Sequence, residues 1–255
     1  MRTRRLAAAA SLAVLLAMTT AATEIPTAVG WGAPGHADEF DGNSLDPAWA
    51  VYDSPGNGGN GLRRPSQVSV ADGRMTQTGT ADGTSAGMVL DEHFQRYGRW
   101  EIRARVAATG EGRPYHPVLA LIPGGDAPYH CGATDIDFAE SDIGGPTYIF
   151  IHALPNIQDY LSVRIDQAQW HTYGVEVTPD HITWFVDGVP MMTDTNRDAL
   201  SGVDFAVNIQ LDANDPGGLA PAQLVVDYVR IYPLRGPAPA IPAPAPDRGT
   251  YDGAC

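Results

Sequence analysis

The sequence predicts an all-β sandwich or barrel, and two features of the chain support this prediction. Between residue 60 and Pro233, short runs rich in β-branched and aromatic residues alternate with turn pairs such as Asp72-Gly73 and Asp187-Gly188. Outside the N-terminal segment, no long stretch repeats its apolar residues with the 3.6-residue period of a helix. Strands joined by short turns can enclose a single hydrophobic core of about 200 residues.

Each predicted strand is a run between two turn signals. The predicted strands cover residues 67–70, 74–78, 88–90, 99–106, 118–122, 134–140, 148–153, 161–165, 170–177, 182–186, 205–211 and 224–232. Residues 34–234 therefore form one predicted domain. Residues 235–255 form a Pro/Ala-rich tail that is extended over 236–246 and is either disordered or runs back along the surface.

The N-terminus has the order of a secretory signal peptide. Basic residues come first, an apolar run covers residues 6–17, and small residues follow at Ala21 and Ala22. The apolar run is short for a membrane span. We therefore expect residues 1–33 to hold a signal peptide, cleaved near Ala22 or near Ala33, and the start of a secreted chain. An uncleaved N-terminal anchor is the alternative.

The charge of the chain excludes some partners. Residues 1–33 hold three arginines and one glutamate, so 13 basic and 29 acidic residues remain without them, a net charge of −16. Nucleic acid and anionic lipid would repel such a chain, whereas a neutral polysaccharide would not. We therefore expect a polysaccharide partner, no nucleic acid, and no membrane contact after signal cleavage.

The chain has two cysteines, Cys131 and Cys255. Because export exposes thiols to oxidation, we predict a disulfide between them. This bond would tie the tail to the loop before the predicted strand 134–140. Two free thiols are the alternative.

Three carboxylates fall within six residues, at Asp135, Asp137 and Glu140. Because strand side chains alternate between faces, the two aspartates share one face and strict alternation sends Glu140 to the other. One extra residue at 138–139, a β-bulge, would return Glu140 to the face of the aspartates. Carboxyls this close have pKa values that move apart, as the two-carboxylate chemistry of glycoside hydrolysis requires. An acidic strand that faces solvent is the alternative.

Six segments of the chain, in this order, resemble glycoside hydrolase family 16, the β-jelly-roll family that includes laminarinases. They read DEFDG at 38–42, YGRWEIR at 97–103, YHPVLALIP at 115–123, DIDFAE at 135–140, QWHTYGVEVTPD at 169–180 continuing to WFVDG at 184–188, and VDYVRIY at 226–232. The resemblance covers most of residues 37–233. It implies a concanavalin A-like jelly roll of two antiparallel sheets with a concave substrate cleft.

The resemblance also implies catalytic roles. The family motif reads Glu-x-Asp-x-x-Glu, which carries the nucleophile role to Asp135, a supporting role to Asp137 and the acid/base role to Glu140. The chain departs from the motif at Asp135, where the family has Glu. An aspartate carboxyl lies roughly 1.5 Å closer to the backbone, and a misplacement of about 1 Å can cost on the order of a hundredfold in rate.

Side chains that suit the faces and hydroxyls of sugar rings are predicted to bind substrate. They are Trp100, Tyr115, His116, His152, Trp170 and Gln210. By the two-residue period of a strand, His152 shares a face with Tyr148 and Phe150. Core packing of the aromatic residues, and a buried structural role for His152, are the alternatives.

Several members of the family hold a structural calcium between the start of the domain and its last strand. The resemblance therefore makes Asp227 a candidate calcium ligand, with backbone oxygens near Glu39 and Gly73. The residues suggest no transition-metal site, and no other cofactor is predicted.

Together these features predict a secreted, monomeric glycoside hydrolase that cleaves internal β-glycosidic bonds of a polysaccharide by a retaining two-carboxylate mechanism. The expected substrate is a β-1,3 or mixed-linkage glucan, or a galactan. A carbohydrate-binding protein on the same fold, impaired in catalysis by Asp135, is the first alternative. A transglycosylase with the same site is the second.

Overall fold

The computed structural model describes residues 31–125, 135–153 and 156–251. The first strands are β1 His36–Asp38, β2 Trp49–Val51, β3 Ser54–Pro55, β4 Leu62–Arg63, β5 Val68–Ala71, β6 Arg74–Gly79, β7 Thr84–Ser85, β8 Gly87–Leu90 and β9 Gly98–Ala108. They are followed by β10 His116–Pro123, β11 Ile136–Glu140, β12 Thr147–Ala153, β13 Ile157–Val163, β14 His171–Val177, β15 Ile182–Val186, β16 Val189–Asp194, β17 Phe205–Asp212, β18 Ala222–Pro233 and β19 Asp247–Thr250. Short 3-10 helices cover Asn57–Gly59, Pro65–Gln67 and Arg197–Ala199.

Two eight-stranded sheets form the sandwich. We call the sheet with the order β19-β13-β12-β11-β10-β17-β8-β2 the carboxylate sheet, because it contains β11. The second sheet has the order β16-β15-β14-β9-β18-β6-β5, and β1 also pairs with β18. Neighbouring strands in both sheets are antiparallel. The predicted all-β sandwich of two antiparallel sheets is therefore confirmed.

The hydrophobic core lies between the two sheets because each strand turns alternate side chains inward. On β9, Ile102 and Ala104 are buried, whereas Arg103 and Arg105 between and after them reach the outer surface. The largest fully buried side chains are those of Trp100, Trp184, Tyr115, Phe40, Phe138 and Phe205. They fill the space between the sheets and fix the position of β11 relative to β15.

Two tight turns follow from their sequences. Asp72-Gly73 joins β5 to β6, with φ angles of 53° and 67°, and Asp187-Gly188 joins β15 to β16, with φ angles of 51° and 76°. Positive φ at both central residues gives a turn whose twist matches that of the flanking strands, which is why Asp-Gly pairs favour hairpins. Both predicted turns are confirmed.

The tail crosses from the second sheet to the carboxylate sheet. Beyond β18, the backbone oxygens of Ile241 and Pro244 accept hydrogen bonds of 2.8 Å and 3.0 Å from Thr193 on the edge strand β16. The chain then forms β19, which pairs with β13 from Tyr160↔Asp247 to Ile157↔Thr250. The tail therefore runs along the surface, which was one of the two predicted arrangements.

Some predicted features lie outside the described residues. These are the proposed signal segment up to residue 30 and both cysteines, Cys131 and Cys255. In the described ranges, no helix is both long enough and apolar enough to cross a membrane. The disulfide stays a prediction.

Candidate active site

A β-bulge places the three carboxylates on one face of β11. Asp137 pairs with Phe150 on β12, and Glu140 pairs with Tyr148, so three steps along β11 match two steps along β12. The extra residue lies at 138–139, and the pairing of β11 with β10 shifts at the same point. The predicted bulge is therefore confirmed, and it returns Glu140 to the face of Asp137.

The two aspartates are electrostatically coupled to Glu140. Asp137 is 2% exposed and its carboxyl is hydrogen-bonded to that of Glu140. Burial, followed by the charges of Glu140 and Asp135, raises the pKa of Asp137 well above its usual range. Burial together with the charge of Glu140 raises the pKa of Asp135 to about 7. Asp137 therefore favours its protonated form, and Asp135 titrates close to neutral pH.

One oxygen of Asp135 is left without a hydrogen-bond donor. Its Oδ1 is buried and has no partner among the residues that the structure describes. The backbone of Asp135 is held firmly, because its carbonyl accepts a 3.0 Å hydrogen bond from the amide of His152. A largely desolvated carboxylate with one oxygen free of donors is a strong nucleophile once it is ionised.

His116 on β10 bridges two acids. Its Nε2 lies 2.6 Å from Oε1 of Glu140, and its Nδ1 lies 2.9 Å from Oδ1 of Asp142. Burial by itself would lower the pKa of His116, but hydrogen bonds to both acids and their negative charges outweigh it and raise the pKa to about 9. His116 is therefore an imidazolium at neutral pH, in direct contact with the predicted acid/base.

The opposite side of His116 is lined by β17. Asp212 faces His116 in the β10–β17 ladder, and its Oδ1 accepts hydrogen bonds from Nη2 and Nε of Arg63 at 2.7 Å and 3.0 Å. Burial raises the pKa of Asp212 even though Arg63 opposes the shift. Gln210, two residues earlier on β17, is half-buried and lies opposite Val118. Gln210 and Asp212 thus share a strand face beside the carboxylates.

An open groove of about 620 Å³ extends from Glu140 and His116 across the carboxylate sheet. Its other lining residues are Tyr148, Phe150, His152, Gln158, Tyr160, Gly249, Thr250 and Tyr251. The shared face predicted for Tyr148, Phe150 and His152 is confirmed, because all three side chains of β12 line this groove. His152 is stacked on Tyr251, with ring centroids 3.5 Å apart and an interplanar angle of 11°.

Two predicted substrate-binding residues lie in the core instead. Trp100 is fully buried and contacts Phe205 edge-on, because its position on β9 turns inward from the second sheet. Tyr115 is also fully buried, and its hydroxyl donates a 2.6 Å hydrogen bond to the carbonyl of Thr80. The prediction that these two rings contact sugar is wrong, since neither ring is exposed to solvent.

Trp170 lies directly before β14, beside the second sheet. Its ring is 4.9 Å, 5.1 Å and 5.5 Å from the guanidinium carbons of Arg103, Arg105 and Arg74. These arginines extend from β9 and β6 of the second sheet, so Trp170 cannot reach the carboxylates. The sequence showed a tryptophan beside a strand, but it did not show which sheet the strand would join.

The candidate calcium ligand Asp227 is engaged with arginines, and another arginine lies beside Glu39, whose backbone was expected to help hold the ion. Asp227 forms an ion pair with Arg103 and lies 3.8 Å from Arg74, while Glu39 forms a pair with Arg230 at 2.8 Å. Guanidinium groups at these positions would repel a divalent cation. Within the described ranges, no group of three or more His, Cys, Asp or Glu side chains is arranged to hold a metal ion.

Arg63 and Asp142 are site residues that the sequence reasoning did not identify. Asp142 lies two residues after Glu140, and this spacing was a usable signal for a further acid near the site. Arg63 lies in a small third sheet, β3-β4-β7, and reaches Asp212 across 149 positions of sequence. No local pattern could have linked these two residues.

Comparison with known families identifies the family of the chain that carries these acids. The sequence profile of glycosyl hydrolases family 16 matches residues 60–211, more than half of the chain. The chain belongs to glycosyl hydrolase family 16. The match includes β11 with its bulge, and it ends before the tail.

Relatives of this family 16 chain are glucanases. A β-glucanase of Rhodothermus marinus is 30% identical over 244 residues, which cover 77% of this chain and 83% of that protein. A β-glucanase of Acetivibrio thermocellus is 26% identical over 205 residues, which cover 73% of this chain and 59% of that protein. The X-ray structure of the laminarinase from Rhodothermus marinus aligns with a TM-score of 0.65 at 28% identity, over 78% of this chain and 96% of that one. The predicted family and enzyme class, glycoside hydrolase, are confirmed.

Proposed function

We propose that this protein hydrolyses internal β-glycosidic bonds of a β-1,3 or mixed-linkage glucan and retains the configuration at the anomeric carbon. The observation that carries the proposal is the bulge at 138–139, which gathers Asp135, Asp137 and Glu140 beside an open groove. The choice of a β-glucan is supported by the similarity to the β-glucanases and to the laminarinase.

In the first step, Glu140 donates a proton to the glycosidic oxygen while the bond from that oxygen to the anomeric carbon breaks. The ionised carboxylate of Asp135 attacks the anomeric carbon and forms a glycosyl ester. In the second step, Glu140 removes a proton from water, the water oxygen attacks the anomeric carbon, and the ester bond to Asp135 breaks. The sugar is released with its original configuration.

Two neighbouring side chains, those of Asp137 and His116, assist the carboxyls of Asp135 and Glu140. Burial and the neighbouring carboxylates raise the pKa of Asp137, which favours a protonated carboxyl that donates a hydrogen bond to an adjacent carboxylate over a third negative charge. His116 contacts Glu140 as an imidazolium. It therefore holds a proton that Glu140 can pass to the leaving oxygen. The site therefore carries the proton of the first step on the hydrogen-bonded His116–Glu140 unit.

The short side chain of Asp135 favours one other function. Because its carboxyl is roughly 1.5 Å further from the substrate than a glutamate carboxyl would be, the groove could bind glucan without turning it over. The protein would then be a carbohydrate-binding member of the family. The two functions share the groove and differ only in whether bonds are broken.

Reducing-end release from laminarin, lichenan and agarose tests the proposal directly. We expect release from laminarin or lichenan, loss of at least about a hundredfold in Glu140→Gln and in Asp135→Asn, and β configuration of the first-formed sugar by NMR. Trp170→Ala, on the other sheet, is the matched control and should leave the rate unchanged. If glucan binds but no more reducing ends are released than by Glu140→Gln, the carbohydrate-binding function is established instead. If reducing ends are released from agarose alone, the substrate is a galactan.

We propose in addition that the protein is secreted as a monomer. Support comes from the basic, apolar and small-residue order of its first 22 residues and from its acidic charge. Detection of the cleaved chain in the culture medium, at the elution volume of a single copy, tests both points. Alkylation under non-reducing conditions tests the disulfide, since the predicted bond leaves Cys131 and Cys255 unlabelled.

A further inference from the structure

The C-terminal tail is a built part of the groove rather than a loose extension. The guanidinium of Arg248 forms two hydrogen bonds, of 2.7 Å and 2.8 Å, to the carboxylate of Asp159 on β13. The side chain of Asp159 is completely buried, and Asn196 donates a further 3.0 Å hydrogen bond to it. A paired, buried carboxylate under β19 fixes the strand in register, so the residues that follow Arg248 have defined positions.

Those residues form one wall of the groove that contains Glu140. Gly249, Thr250 and Tyr251 line it from the side of β19. The ring of Tyr251 lies parallel to that of His152 at 3.5 Å, which holds Tyr251 in place over β12. The wall therefore lines the same groove as Glu140, although it comes from residues beyond the segment that matches the family.

The floor beside this wall is aromatic and accessible. Tyr148 is 38% exposed, and the centroid of Tyr160 lies 6.5 Å from its own. Gly249 leaves the ring of Tyr160 uncovered, because a Cβ at residue 249 would lie 3.5 Å from Cε1 of that ring. Three tyrosines around one end of a groove present flat apolar faces with hydroxyls at their edges.

We propose that β19 and Tyr251, with Tyr148 and Tyr160, form a sugar-binding subsite for a neutral hexopyranose unit of the chain being cleaved. The apolar face of the sugar ring would lie against the tyrosines, and its hydroxyls would find Gln158 and Thr250 at the rim. The ten lining residues include no arginine, and both ring nitrogens of the one cation among them, His116, are already bound to Glu140 and Asp142, so the groove has no unpaired cation for an acidic sugar. This inference rests on the proposed function, because it extends the same substrate away from Glu140.

Binding to the Glu140→Gln variant tests the subsite without turnover. Laminarihexaose, laminaritriose and a mixed-linkage hexasaccharide are the probes, measured by isothermal titration calorimetry. In that background we expect Tyr251→Ala to weaken hexaose binding about tenfold, or about 1.4 kcal/mol, and Tyr251→Phe to stay within about twofold because the ring remains. Trp170→Ala is the matched aromatic control and should not change the affinity.

A second variant reaches the subsite without removing an aromatic ring. Gly249→Leu would lay a side chain over Tyr160 and should weaken hexaose binding about as much as Tyr251→Ala does. Thermal midpoints of both variants within a few degrees of the parent would show that β19 stays docked. If the thermal midpoint falls further, Tyr148→Ala replaces these variants in the binding test, because its exposed ring is not needed for the docking of β19.

The outcomes separate this inference from the proposed function. If the probes bind Glu140→Gln and the affinity is the same or higher in Tyr251→Ala, Gly249→Leu and Tyr148→Ala, the subsite is overturned while the hydrolase stands. Tighter binding would identify the tail as an obstruction of the groove. If no probe binds Glu140→Gln at all, the proposed substrate fails, and the subsite fails with it.

Discussion

The indole Nε1 of Trp184 donates a 2.9 Å hydrogen bond to the backbone carbonyl of Asp137. Trp184 is fully buried on β15 of the second sheet, so this bond reaches across the core to the rear of the bulge. A bulge disrupts the hydrogen bonds of its own ladder, and a carbonyl there needs another donor. The core of the sandwich thus supports the backbone that carries the proposed catalytic carboxylates.

Trp184→Phe removes this donor and keeps an aromatic ring. We expect a loss of roughly 1–3 kcal/mol in the free energy of unfolding, because the Asp137 carbonyl is left buried without its partner. We also expect kcat to fall more than KM rises, since the carboxylates lose their alignment. Urea unfolding and kinetics on laminarin measure the two effects.

Trp49→Phe is the matched control for that variant. Trp49 lies on the edge strand β2, away from the bulge, and its Nε1 donates a 2.8 Å hydrogen bond to Asp38 on β1. It should lower stability while leaving kcat of the folded enzyme unchanged. Equal kcat losses in both variants would contradict a specific role of Trp184 at the bulge.

Lengthening Asp135 to glutamate should raise activity. Asp135→Glu moves the carboxyl roughly 1.5 Å toward the anomeric carbon, and a retaining site needs its two carboxyls about 5–5.5 Å apart. An increase in kcat of about tenfold or more is expected, measured by reducing-end release from laminarin. Asp137→Glu is the control and should lower activity, because the buried site of Asp137 has no space for a further methylene. No gain in Asp135→Glu would show that the reach of Asp135 is not what limits the rate.

The carboxylates of the candidate site could be predicted from the sequence because a local pattern determines their arrangement. Asp135, Asp137 and Glu140 are neighbours on one strand, and the parity of β-structure required a bulge to bring them together, which the structure contains. The failures concern Trp170, which lies beside the second sheet, and Trp100 and Tyr115, which lie in the core. An aromatic residue in a strand suits a core and a sugar-binding cleft equally well, and only the inward or outward direction of the strand distinguishes the two.

Long-range contacts were beyond prediction from local patterns. β19 has the sequence Asp-Arg-Gly-Thr after a proline tract, and nothing in those four residues suggests a strand. It becomes one because Arg248 finds the buried carboxylate of Asp159 and because β13 offers an unpaired edge. Arg63 reaches Asp212 in the same manner, through the packing of the third sheet.

The acidic limb of the pH–rate profile should lie near pH 7. Asp135 must be ionised to attack, and its pKa is raised to about 7, so kcat/KM should rise with pH up to that value. Through the same raised pKa, rising pH increases the rate but lowers the free energy of unfolding. The folded protein binds this proton more tightly than the unfolded chain, so the contribution of Asp135 to stability falls between its ordinary value of 3.8 and about 7. A rate profile that is flat from pH 5 to 8 would contradict the assignment of Asp135 as the nucleophile.

The alkaline limb should depend on His116. Its pKa of about 9 means that the His116–Glu140 unit keeps its proton to that pH, and kcat/KM should decline above it. His116→Gln removes the group whose pKa is raised to about 9, so we expect the alkaline limb to move to lower pH and the optimum to narrow. His171→Gln is the control, because His171 contacts Asp187 in a similar pair on the other sheet.

Stability provides a second readout for the same histidine. The folded pKa of His116 is raised, so its stabilising ion pairs are fully present below 6.5 and are lost as the pH rises through about 9. The stability difference between the parent and His116→Gln should therefore shrink across that range. An alkaline limb that stays in place in His116→Gln would assign the proton to another group.

Trp31 should define the start of the folded mature chain. Its ring is 8% exposed and lies 5.4 Å from both Phe185 and Tyr232, with Gly174 beneath it, where a Cβ would approach the indole to 3.1 Å. Trp31→Ala should cost about 3 kcal/mol in the free energy of unfolding, whereas Leu62→Ala, at an exposed site, should cost little. Cleavage near Ala33 would remove this contact, so the intact mass of the chain recovered after the proposed export should place its N-terminus before Trp31. A mature chain that begins after Ala33 and is as stable as one that keeps Trp31 would show that the sandwich does not need this ring.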